Sequence, residues 1–97
     1  MKRLEFLGSS REKLRAMPAT VRRSIGLELM RVQFGGQPTD FKPMTVIGLG
    51  VFEVRVRDDT GVYRAMYVAK FADTVFVLHA FQKKTEQTSK LDIELAQ

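Results

Sequence analysis

Cysteine is absent from the 97-residue sequence, and histidine occurs once. Without cysteine there is no disulfide scaffold, no thiolate zinc site and no cysteine nucleophile. A single histidine rules out a two-histidine metal site, so no metal or other cofactor is expected. Apolar runs fall far short of the ~20 residues a membrane span needs. Glu5 interrupts the apolar residues near the N-terminus, unlike a signal peptide. A cytoplasmic protein with no membrane partner is the expectation. There is no internal repeat and no low-complexity linker, so residues 1–97 read as one domain. A chain of this length buries about 65% of its unfolded surface, enough for one modest core. Its hydrophobic fraction of 44% argues against disorder.

What the sequence does hold is organised by period. Arg3-Leu4-Glu5-Phe6 alternates, as a short strand does. Ser9-Ser10-Arg11-Glu12 has the capping-box pattern, with Ser9 as N-cap and Glu12 reaching back. The helix it opens should stop near Ala16, because Pro18 disfavours helical geometry at Met17. A second helix fits Ala19 to Phe34, with Val21, Ile25, Leu29 and Val32 on one apolar face and Gly35-Gly36 as its stop. Residues 37–50, with two prolines and two glycines, read as irregular connection around a short extended piece. From Val51 the period is two: Phe52, Val54 and Val56 face one side, and Glu53, Arg55 and Arg57 the other. A turn at 58–61 leads to a strand over 62–70. A third run, Val75 to Phe81, is apolar on both faces and so suits the interior of a sheet. Thr88 to Asp92 can open a last short helix. The order β-α-α-β-β-β-α predicts an α+β fold, a mainly antiparallel sheet with a helical hairpin on one face.

Lys and Arg number 16 against 11 Asp and Glu, a net charge of +5. Such a charge favours a polyanionic partner or a merely basic surface, and placement decides between them. Pairing across the 58–61 turn brings Arg64 to the face of Arg55 and Arg57, while Tyr63 and Ala65 turn to the core. Gln82-Lys83-Lys84 follows where the third run ends. Guanidinium forks and a nearby lysine suit phosphate. Preorganised cations of this kind can stabilise attack of an RNA 2′-hydroxyl on its neighbouring phosphorus, given a base and an acid. Glu53 can serve as that base or simply pair with an arginine. His79, the one side chain that titrates near neutrality, can be catalytic or a buried structural histidine. Tyr63, Tyr67 and Phe81 read as packing residues before stacking platforms. Gly48-Leu49-Gly50 is too short for a phosphate loop and reads as a turn.

Four stretches in order carry a resemblance: Gln37-Pro38-Thr39-Asp40-Phe41-Lys42-Pro43-Met44, Gly48 through Arg55, Tyr63-Arg64 through Lys70, and Leu78-His79-Ala80-Phe81-Gln82-Lys83-Lys84-Thr85. Together they resemble the phage-derived branch of the RelE/HigB-like toxins of type II toxin–antitoxin systems, over nearly the whole chain. The resemblance implies a RelE-like fold and an endoribonuclease that degrades mRNA, with ribosomal help. It also implies neutralisation by an antitoxin carrying a helix-turn-helix domain. Arg64 matches the arginine at the scissile phosphate, and Arg55 and Lys83 match basic positions of the site. Glu53 or His79 would handle protons, and Arg57, Gln82 and Lys84 would hold RNA. Glu53 stands where the RelE type often has a basic residue, and the histidine or tyrosine several relatives place near the end of the sheet is missing. A gyrase poison of the related ParE kind, or a prophage relic that only binds its antitoxin, is the alternative. On this reading Arg64 contacts RNA and takes no part in the core.

Overall fold

The computed structural model describes residues 1–83 and 90–97. The strand β1 (Arg3–Phe6) is followed by α1 (Ser10–Arg15) and α2 (Ala19–Gln33). Then come β2 (Phe41–Pro43), β3 (Val51–Asp58), β4 (Gly61–Val68), β5 (Thr74–Lys83) and α3 (Lys90–Ala96). Lys84, and the start of the last helix at Thr88 and Ser89, lie outside the described residues.

The helix α2 forms where its apolar period demands, burying Val21, Ile25, Leu29 and Val32. It ends in a Schellman motif: Gly36 N–H donates to Arg31 O (2.8 Å) and Gly35 N–H to Val32 O (3.0 Å). Gly35 sits at φ +90°, where an L side chain is strained. The expected capping box of α1 does not form, since Ser9 makes no side-chain cap bond. Its backbone, at φ −93° and ψ 13°, lacks the extended geometry that aims an N-cap oxygen at the next turn. The neighbouring Ser10 is the buried serine, and its hydroxyl donates to Val77 O (3.1 Å), tying α1 to β5.

The five strands form one sheet in the order β1-β5-β4-β3-β2. Only β1 and β5 pair in parallel. Both α1 and α2 lie on one face. There Met17, Val21, Ile25, Leu29 and Val32 meet Val54, Tyr63, Ala65, Tyr67, Val75, Val77 and Ala80, with Phe52 and Val56 at the margin. The alternation of β3 is therefore oriented as read from sequence. A register shift at Met66/Tyr67, where Met66 opposes His79 but Tyr67 opposes Val77, leaves Leu78 as an extra residue in β5. That shift explains how β5 is apolar on both faces. It sends Val77 to the helix side, while Leu78 packs with Met44, Val51, Met66, Val68, Phe81 and Ala96 on the other. The short extended piece of the 37–50 connection is β2, paired antiparallel to β3. Among the described residues no helix is long and apolar enough to cross a membrane.

At the β3–β4 turn the Thr60 hydroxyl (2.6 Å) and amide (2.8 Å) donate to Asp58 Oδ1 and hold that carboxyl below its ordinary value. Within the core, burial pushes the Tyr67 phenol from 10 up to about 12. A group raised on folding contributes stability that is complete below its unfolded value and lost as pH rises through its folded one. The urea midpoint should therefore fall between pH 10 and pH 12. Tyr67→Phe, which removes the titrating proton, should flatten that fall. An identical pH profile in the variant would contradict the assignment.

Candidate functional site

The sheet register lays out the face opposite α1 and α2 as rows, because directly opposed residues point the same way. Across β3, β4 and β5 one row reads Arg57, Val62, Lys83. The next reads Arg55, Arg64, Phe81, and the third Glu53, Met66, His79. The edge strand extends two of these rows. Lys42 opposes Glu53 in β2, and Arg55 N–H donates to Asp40 O (2.9 Å) one residue before the strand begins. Arg55, Arg57, Arg64 and Lys83 are thus on one face, with Glu53 and His79 beside them.

The ends of this face differ in what covers them. Toward the third row, α3 lies over the sheet, with Ala96 packed among Met44, Val51, Met66, Val68 and Phe81. His79 Nε2 and Asp92 Oδ1 are 2.8 Å apart, and the His79 ring stacks on Phe81 at 5.1 Å between centroids. His79 is only 2% exposed, in the setting expected of a structural histidine. Toward the first row, Arg57 is exposed and Lys83 half-buried.

Arg64 does not stand at the surface. It is 4% exposed, and its Nη1 donates to Oε1 of the fully buried Glu53. The expectation that Arg64 takes no part in the core is corrected: in the middle strand of the sheet, opposite Phe81, its guanidinium is enclosed and Glu53 balances its charge. A buried ion needs such a partner, since an unpaired one is costly. Arg64 Nε has no hydrogen-bond partner among the described residues. Arg55 keeps its side chain partly exposed, with Nε (3.0 Å) and Nη2 (2.6 Å) both donating to Asp40 Oδ1.

Gln82 is not brought to this site. It opposes Tyr63 and so lies on the other side of the sheet, where its Nε2 donates to Thr60 O (2.9 Å). Asp40 is the residue that sequence reasoning missed. It sits within the Gln37–Met44 stretch, but its position beside Arg55 follows only from the pairing of β2 with β3. Among the described residues no group of three or more His, Cys, Asp or Glu is placed to hold a metal ion. The arrangement gathers Arg55, Arg57, Arg64 and Lys83 on one face, with Asp40 paired to Arg55 and Glu53 to Arg64.

The family described as Phage derived protein Gp49-like (DUF891) matches residues 12–97. No curated protein matches the sequence. Among solved structures, a mutant of the E. coli toxin RelE in the free state is similar, with a TM-score of 0.68 at 19% identity, over 88% of this chain and 86% of that one. At that identity the likeness is one of fold. The family and RelE-like fold implied by the sequence resemblance are both borne out.

Proposed function

The chain belongs to the Gp49-like family of phage-derived proteins, and from that premise we propose that it is the toxin of a type II toxin–antitoxin pair, an endoribonuclease acting on mRNA at the ribosome. The observation that carries this reading is the row geometry: Arg55 and Arg57 from β3 and Lys83 from β5 share one sheet face, toward the end where Arg57 is exposed. These three groups would bind successive phosphates, and Arg55 would stabilise charge developing on the attacked phosphate. Arg64, beneath them, contributes through the position of Arg55 and the integrity of the face. Lys84, next to Lys83 in sequence, would add a further charge for RNA. The chemistry needs no metal: the 2′-hydroxyl attacks phosphorus and the 5′-oxygen leaves. A basic face also suits an antitoxin that lays an acidic, amphipathic segment across it.

Induced expression should arrest growth, and mapping of mRNA 5′ ends should show new internal ends. Replacing Arg57 and Lys83 together by Ala should lower RNA affinity and reduce the salt slope by about 1.4, since each single-strand phosphate contact contributes ~0.7. Unchanged affinity and slope would place the RNA contacts elsewhere. One observation favours a second reading: Arg64, the arginine expected at the scissile phosphate, is enclosed with Glu53. A protein that only grips a protein partner would tolerate that. Growth arrest with intact mRNA and inhibited gyrase would support a ParE-like poison, and no arrest at all would support a relic that only binds its antitoxin.

A further inference from the structure

Cleavage through the 2′-hydroxyl requires a proton acceptor at that oxygen, and neither candidate read from sequence is placed to reach RNA. Glu53 is fully buried beneath Arg64, and His79 is enclosed between Phe81 and Asp92. On the same face and in the open, Asp40 is the carboxylate that adjoins a phosphate-binding arginine. We propose that Asp40 is the general base of the reaction and that Arg55 is its phosphate-binding partner, an inference that rests on the ribonuclease reading above.

The geometry supplies both halves of the step. The Asp40 side chain is 44% exposed and that of Arg55 29%. Both Arg55 donors converge on the same carboxylate oxygen, Oδ1, so Oδ2 accepts no hydrogen bond among the described residues. Arg55 likewise spends only Nε and Nη2 on this pair, leaving its Nη1 edge for a ligand. The backbone bond from Arg55 N–H to Asp40 O fixes the two residues side by side from beneath. A nucleotide whose 3′-phosphate oxygen meets Arg55 Nη1 would have its neighbouring 2′-hydroxyl within reach of the adjacent Asp40 carboxylate. The carboxylate takes the hydroxyl proton as the 2′-oxygen bonds to phosphorus, and the bond from phosphorus to the 5′-oxygen breaks. That oxygen takes a proton from water. The products are a 2′,3′-cyclic phosphate and a free 5′-hydroxyl, with no oxidant, reductant or further co-reactant.

If the ion pair only pinned the edge strand β2, an amide at position 40 would serve as well, because its oxygen still accepts from Arg55. Asp40→Asn therefore separates the two roles. With mRNA on translating ribosomes as substrate, D40N should lower kcat by about 10²-fold or more, the usual scale for losing a general base, with KM and thermal melting unchanged. The wild-type fall of kcat/KM on the acid side should vanish in D40N, and wild-type fragments should end in a cyclic phosphate. Wild-type rates in D40N, or a loss confined to KM with the acid limb intact, would overturn the assignment while leaving the ribonuclease reading in place. If the wild type itself leaves mRNA uncut, both fall together.

Discussion

Arg64→Ala should destabilise the fold by about 3–5 kcal/mol, the range seen when one partner of a buried ion pair is removed. The side chains of Arg64 and Glu53 are 5% and 0% exposed, so the carboxylate left behind loses the arginine's charge where water does not reach it. Domains are stable by only ~5–15 kcal/mol, so the loss would leave the variant marginal or unfolded. A urea titration measures it directly. The companion variant Glu53→Met/Arg64→Met removes both charges together and should recover most of the lost stability, because apolar replacement of a buried pair is often neutral or better. An unchanged urea midpoint in R64A would mean that the pair is solvated in the native state. Loss of growth arrest in R64A alone would report folding before catalysis, whereas Asp40 and Arg55, being partly exposed, can be varied with less risk to the core.

Val54→Asp should be at least as damaging. Val54 is fully buried and faces α2, packed in the cluster with Ile25 and Leu29. A carboxyl there would be held neutral by burial, with its pKa raised by up to ~3–5 units. At 1.36 kcal/mol per unit, and with an unfolded value of ~3.9, that is about 4 kcal/mol at pH 7, before any loss of packing is counted. Because the folded pKa is the raised one, the penalty is absent below the unfolded carboxyl value and grows as pH rises through the folded one. V54D should therefore show no cooperative melt at pH 7 by far-UV circular dichroism and regain part of its structure in acid. Cooperative melting at neutral pH with the wild-type midpoint would contradict the packing of β3 against α2.

Much of the scaffold was legible in the residues because it rests on period and turn chemistry, which are local. The spacing of Val21, Ile25, Leu29 and Val32 and the Gly35-Gly36 stop give α2 within one residue of its observed end. The alternation from Val51 to Arg57 gives the two faces of β3, and hence which residues meet the helices. The capping box at Ser9 failed for a local reason too: the pattern names residues, whereas the cap depends on a backbone angle that Ser9 does not adopt.

The site is different, because its decisive contacts join segments whose register no local pattern states. Alternation placed Arg55, Arg57 and Glu53 on one face and allowed Arg64 to join them, yet it could not say what would cover that face. The return of α3 over β5 brings Asp92 to His79, and across the sheet Glu53 and Arg64 are buried as a pair. Asp40 and Arg55, 15 residues apart, meet only because a three-residue edge strand pairs with β3. By itself the sequence determined the order of elements other than the edge strand β2, the core face and the set of basic residues, since hydrophobic period and charge are properties of the chain. Only the tertiary structure decided which of those charges face solvent and which carboxylate stands beside each arginine, since burial and ion pairing depend on what the fold brings across the sheet.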